Sequence, residues 1–263
     1  MQPLADLREA GRIKGLLFDI DDTLTTGGAL TAQAYGAMER LKRAGRIVVP
    51  ITGRPAGWCD HIARMWPVDA VVGENGAFYF LMAAGRIEKR FLDGTAARVQ
   101  KRARLEAIAR RILAAVPGCA IASDQGCRES DLAIDFCEDV PPLALAHAER
   151  IRDLMQAEGM TAKISSIHVN GWFGGHDKLA MTRLLFAERF GVDLAVASAE
   201  YAFAGDSPND APMFAFFANS VGVANVRRFG QQLEAAPKYV TRAESGAGFT
   251  ELVDHLLQGG TSS

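Results

Sequence analysis

The chain has 263 residues, enough for one large domain or two of ordinary size, with 49% apolar and 23% charged residues, the balance of a globular protein with a sizeable core. A net charge of −2 gives no electrostatic reason to expect nucleic acid or an anionic membrane as partner, and no run approaches the ~18 consecutive apolar residues of a membrane span. The opening MQPLADLREAGRIKG lacks the apolar stretch of a secretory signal, and Cys59, Cys119, Cys127 and Cys137 form no CxxC pair, so a cytoplasmic protein with reduced thiols is expected.

From the N-terminus, residues 15–19 read as a strand, 31–44 as a helix with Thr31 at its N-cap, and 46–51 as a second strand. A helix over 56–65 and a short strand at 70–72 continue the βαβαβ rhythm of an open parallel sheet. Residues 77–81 and 86–91, joined by the turn MAAG, predict a hairpin appended to it. The pattern then changes. A long helix over 96–116 carries Arg98, Lys101, Arg102, Arg104, Arg110 and Arg111, but its apolar positions keep helical spacing, so a solvated basic face is expected rather than a nucleic-acid surface. Strands at 120–123 and 132–136, a helix over 143–158 and strands near 161–164 and 167–170 complete an αββαββ unit.

The first rhythm returns with a helix over 178–190, a strand at 201–205, a helix over 210–217 and strands at 220–223 and 239–240. A helix over 249–257 follows, and the GGTSS tail is expected to be disordered. The fold class is therefore α/β. A Rossmann-like three-layer parallel-sheet core, residues 1–83 and 173–263, carries an inserted α+β domain over 84–172. The hinges are expected near residues 82–85 and 171–175, where glycines absorb backbone rotation.

One stretch, GLLFDIDDTLTTGG (residues 15–28), ends an apolar strand in Asp19, Asp21 and Asp22. Two like charges about 4 Å apart repel by roughly 4 kcal/mol at an effective dielectric near 20, so a metal ion is expected to hold them together. Ligands of open parallel sheets bind beyond the carboxyl ends of the strands. Those ends deliver Asp19, Asp21 and Asp22 from the first strand, Thr52, Gly53 and Arg54 from the second, and Asp206, Ser207, Asn209 and Asp210 after residues 201–205. Lys178 opens the helix after the insert. On the residues alone, Thr52 also suits a helix cap, Arg54 a surface position, Asn209 a turn, and His176 and Trp172 hinge packing.

DIDDT, the Thr of TGR, a downstream Lys and GDSPND, in that order, resemble the four motifs of the haloacid dehalogenase superfamily. The αββαββ insert between the second and third motifs resembles the type IIB cap of Cof-like and sucrose-, trehalose- and mannosylglycerate-type phosphatases, and GENGA (residues 73–77) resembles an element of that subgroup. Asp22 stands where Gly is commonest in the family. The resemblance implies a Mg²⁺-dependent phosphatase acting on a small phosphorylated metabolite, with a sugar phosphate as the expected class. It implies Asp19 as nucleophile, Asp21 as general acid/base and Thr52, Gly53, Arg54, Lys178 and Asn209 as phosphoryl or substrate contacts. Asp19, the Asp21 carbonyl and Asp206 would be the metal ligands, with Asp210 behind them. A carboxylate nucleophile suits so slow a reaction, because it divides hydrolysis into two easier displacements. A phosphomutase of the phosphomannomutase type, sharing core, cap and aspartyl-phosphate, is the alternative, and a degenerate ligand-binding module a third. Oligomeric state has no signature in the sequence.

Overall fold

The structure, a computed structural model, describes residues 1–165 and 167–258; the GGTSS tail lies outside them. The first half of the core comprises β1 (Gln2–Pro3), β2 (Gly15–Phe18), α1 (Ala32–Arg43), β3 (Ile47–Pro50), α2 (Ala56–Met65), β4 (Val71–Gly73), β5 (Phe78–Ala83) and β6 (Arg86–Phe91). The insert follows as α3 (Thr95–Ala115), β7 (Ala120–Ile121), β8 (Asp131–Asp135), α4 (Leu145–Ala157), β9 (Thr161–Ile164) and β10 (His168–Trp172). The chain returns through α5 (Lys178–Leu185), α6 (Leu194–Ala197), β11 (Tyr201–Gly205), α7 (Ala211–Phe216), β12 (Asn219–Gly222), β13 (Tyr239–Val240) and α8 (Ser245–Gln258).

The core is a six-stranded parallel sheet in the order β1-β13-β12-β11-β2-β3. Every residue of β2 is buried, as a strand covered on both faces must be. Successive side chains leave it on opposite sides. Leu16 and Phe18 pack with Met38 of α1 and Phe249 and Leu252 of α8, whereas Leu17 packs with Met181 and Leu185 of α5 and Phe214 of α7. Thr31 caps α1 by accepting from the Ala34 N–H. The sheet order reverses at β2, with β3 on one side and β11 on the other, and a ligand crevice belongs at such a switch point.

Several elements depart from the sequence expectation. The strand at 71–73 does not extend the parallel sheet beyond one bridge, Ile51 to Val72; it pairs antiparallel with β5. Its apolar run shows that it is buried but not which partner it takes. Residues 82–85, expected as a hinge, form the tip of the β5–β6 hairpin, where Ala84 (φ 47°) and Gly85 (φ 75°) make the turn. The first connection between core and insert follows β6, at residues 92–94, and the return, at 173–177, overlaps the expected 171–175. Lys101 ties the two crossings, donating to Asp93 at 2.6 Å and to the Phe173 carbonyl at 2.9 Å. The helix expected to reach residue 190 is α-helical only to Leu185. It continues as a π turn, Phe186–Phe190, closed by left-handed Gly191. The two-residue, exposed β1 had no periodic signal.

The insert is an antiparallel sheet, β7-β8-β10-β9, backed by α3 and α4. Its own hydrophobic cluster includes Ile108, Ile112, Ile134, Ile151, Met155 and Val169. Among the described residues no two cysteines form a disulfide, and no helix is long and apolar enough to cross a membrane.

Candidate active site

Three strand ends and one helix start converge above the switch point. The Asp19 N–H still bonds the Ala204 carbonyl of β11 at 3.0 Å, which fixes its side chain at the lip of the sheet. The chain then turns back on itself. Leu24 and Thr25 N–H groups donate to the Ile20 carbonyl, and Asp22 takes a left-handed conformation, φ 57°. Lys178, first residue of α5, is buried and reaches Asp19 Oδ1 at 2.7 Å and Asp210 Oδ1 at 2.9 Å. Asp210 also accepts from the Asp206 N–H through Oδ2, so Asp210 is occupied on both oxygens.

Asp19, Asp206 and Asp210 are all buried, and oxygens from the three lie within 4.8 Å of one another. The Asp206 carboxylate accepts from two neutral donors, the Thr23 hydroxyl at 3.3 Å and the Asn225 amide at 3.3 Å. Burial pushes the Asp19 carboxyl up to about 8, ahead of the opposing pull of Lys178, and Asp210 and Asp21 push the same way. Asp206 is raised well above the ordinary carboxylate range by burial, then by Asp210, Asp19 and Asp22. Lys178 is raised in turn: Asp19 and Asp210 outweigh its burial. Buried charges of one sign persist when paired or coordinated. Three carboxylates against one lysine leave an excess negative charge, and a hard divalent cation fits such an all-oxygen set.

Of the remaining candidates, Thr52 is fully buried and its hydroxyl accepts the Arg54 N–H at 3.0 Å. Arg54 turns inward rather than to the surface. It grips Asp21 with Nε at 3.0 and 3.1 Å and with Nη2 at 2.8 Å. Nη2 also reaches Glu138 of the insert at 2.9 Å. Glu138 lies 2.8 Å from His168 Nε2; the nearby His168 ring and the Arg54 guanidinium hold its carboxyl down to about 2. Asn209 accepts from the Ser207 hydroxyl at 2.7 Å and lines the cavity with Gly53. His176 and Trp172 stack at 5.5 Å in the return crossing, beside a second cavity rather than over Asp19.

Sequence reasoning did not find a buried group that joins insert to core. Glu74, in the turn after β4, accepts three backbone N–H groups: Ala56 from the core and Glu129 and Ser130 from the insert, at 2.6–2.9 Å. Arg128 of the insert donates to the Gly53 carbonyl at 2.9 Å and pairs with Asp131 and Asp124. GENGA alone would mark Glu74 as a turn residue, and no local spacing relates it to Arg128. Asn225, which donates to Asp206 and to the Asp22 carbonyl, likewise carried no signal. The cavity over Asp19 measures about 20 Å³, between Asp21 and Arg54 below and Arg128, His168 and Asn170 of the insert above. At ~10–15 Å³ per water it holds about one. It abuts a cleft of about 730 Å³ through Ser165, Asp206 and Ser207.

No profile of a known protein family matches the chain. It is 30% identical over 250 residues to a phosphoglycolate phosphatase of Pyrobaculum neutrophilum, covering 94% of this chain and 97% of that one. Among solved structures it is similar to the sucrose-phosphatase of Synechocystis sp. PCC6803, determined with sucrose and phosphate, at a TM-score of 0.63 and 16% identity over 93% of this chain and 98% of that one. A phosphatase of the HAD enzyme superfamily from Bacteroides thetaiotaomicron matches at a TM-score of 0.60 and 21% identity, over 93% and 95% of the two chains.

Proposed function

The chain belongs to the haloacid dehalogenase superfamily of phosphatases, and on that premise we propose that it is a Mg²⁺-dependent phosphatase of a small phosphorylated metabolite, working through a phosphoryl group carried on Asp19. The observation that carries this reading is the buried cluster at the switch point, where Lys178 bonds both Asp19 and Asp210 beside Asp206. Asp19 Oδ1 is engaged by Lys178, which leaves Oδ2 as the attacking atom. It forms a bond to phosphorus as the ester oxygen departs, and Asp21 gives that oxygen its proton. Asp21, now a carboxylate and steadied by Arg54, takes a proton from water, whose oxygen attacks phosphorus and releases inorganic phosphate and free Asp19. Lys178, Thr52 and the Gly53 N–H hold the transferring oxygens, where charge accumulates. Asp19, Asp206 and the Asp21 carbonyl would hold Mg²⁺, which when bound neutralises charge between the carboxylates and the phosphate dianion.

The αββαββ unit acts in this reading as a cap, and the small cavity over Asp19 suits its closed position; substrate enters when it lifts. A sugar phosphate and phosphoglycolate, after which the Pyrobaculum relative is named, are the two candidate substrates of this reading. The reading is tested by measuring phosphate release from phosphoglycolate, sugar phosphates, nucleotides and a small aryl phosphate, with Mg²⁺ and then with EDTA. Release from a small ester, lost in EDTA and restored by Mg²⁺, is expected. Full activity after exhaustive chelation would remove the metal from the account, and a requirement for a bisphosphate activator would replace hydrolysis with the mutase.

A further inference from the structure

The turn between β4 and β5 places three consecutive residues at positive φ: Glu74 at 42°, Asn75 at 54° and Gly76 at 101°. Only the glycine adopts this conformation without strain. The surroundings enforce it. The Glu74 N–H donates to the Arg54 carbonyl and the Asn75 N–H to the Thr52 carbonyl, each at 3.1 Å, while the Glu74 side chain is held by three further amides. A Cβ at Gly76 would stand 2.0 Å from the Asp177 carbonyl oxygen, so this turn also packs directly against the start of α5, where Lys178 begins.

The outcome of this construction is the position of one amide. Asn75 is 5% exposed, and its Nδ2 has no hydrogen-bond partner among the described residues. A Cβ on Gly53 would lie 3.3 Å from both Nδ2 and Oδ1 of Asn75, so the bare glycine leaves the amide beside the loop that carries Thr52. Asn75 lines the cavity over Asp19 and also the adjoining cavity of about 170 Å³ walled by Lys178. A strained backbone and an unmet buried donor both cost stability, and here they coincide between two segments that would grip a phosphoryl group. The chemistry of the donor fits that place. A cation there would be captured by the carboxylates, as Lys178 is, and an acid would repel a phosphate. A neutral amide stays ready for an incoming anion.

We propose that Asn75 is a phosphoryl-binding residue, its Nδ2 donating to a non-bridging oxygen of the transferring group between Gly53 and Lys178. The proposal rests on the phosphatase reading for its catalytic consequence, but anion binding tests it separately. Asn75→Gly deletes the amide and suits φ 54°, so the fold is kept; Asn75→Asp keeps the shape and replaces the donor by an acceptor. Binding of inorganic phosphate, in Mg²⁺, is measured by calorimetry alongside kcat and KM for a small aryl phosphate, with melting curves for each protein. Asn75→Gly should melt no lower than the wild type, bind phosphate about tenfold or more weakly and lose at least as much in kcat/KM, as expected for one hydrogen bond to a charged group. Asn75→Asp should lose more on both counts. Phosphate affinity within twofold of wild type in Asn75→Gly would overturn the proposal, whatever happens to turnover. A penalty confined to a natural substrate would also overturn it, since the amide would then contact the leaving group. Failure of the wild-type protein to hydrolyse any phosphate ester would count against the phosphatase reading, and the calorimetry would still decide the role of Asn75.

Discussion

At the scale of single residues, Asp19 is held by Lys178 and yet kept above the ordinary carboxylate range by burial. A carboxyl raised in the folded state stabilises the fold only while it can keep its proton. That contribution is whole below the ordinary range near 4 and is gone above about 8. Asp19→Asn should therefore melt at or above the wild type in EDTA at pH 8, while hydrolysis falls by ~10⁴-fold or more, the order that follows loss of a covalent nucleophile. A variant that melts well below the wild type under those conditions would mean that the charge is satisfied without a cation. Asp19, Thr52, Lys178 and Asp206 were legible in the sequence because each stands where a strand or helix end must deliver it. Arg54 was legible as a site residue but not as the clamp on Asp21, since an arginine's partners depend on which loops meet. Glu74 and Arg128 were not legible at all: their environment is made by segments about fifty residues apart.

Elements behave in the same way. The buried parallel strands read clearly, because a strand covered on both faces must be apolar throughout. The pairing of β4 with β5 did not, because a three-residue apolar run carries no direction. The crossings between core and insert were expected at glycines, near residues 82–85 and 171–175; the return, at 173–177, overlaps the second of these but depends on side chains as well. There His176 stacks on Trp172, and burial, helped by Lys101, holds the imidazole down to about 4. A histidine lowered in the folded state gives stability that is present above its ordinary value near 6.5 and is lost as pH falls through about 4. The full loss is at most about 3.5 kcal/mol, taking ~1.4 kcal/mol per unit. His176→Gln should accordingly lose less thermal stability than the wild type between pH 7 and pH 4, as melting curves at matched ionic strength would show. Equal losses would mean that His176 titrates normally and that the crossing is open to water.

In the molecule as a whole, the insert has a hydrophobic cluster of its own, and the contacts quoted between it and the core are polar: Arg54 with Glu138, Arg128 with the Gly53 carbonyl, and Glu74 with the Glu129 and Ser130 amides. Water can replace such bonds at small net cost, as the proposed opening of the insert as a cap would require. Arg128, His168 and Asn170 line the cavity over Asp19; on the proposed mechanism the leaving group would face the insert and the phosphoryl group the core. The central claim is that the phosphoryl group rests on Asp19 between the two. It is tested most directly by quenching the Mg²⁺-loaded enzyme in acid during turnover of a small aryl phosphate and mapping the phosphorylated peptide by mass spectrometry. The account predicts one phosphoryl group on the peptide that contains Asp19, absent from Asp19→Asn and discharged when turnover is allowed to finish. Sustained turnover with no phosphorylated peptide, or with the label on a peptide lacking Asp19, would contradict it.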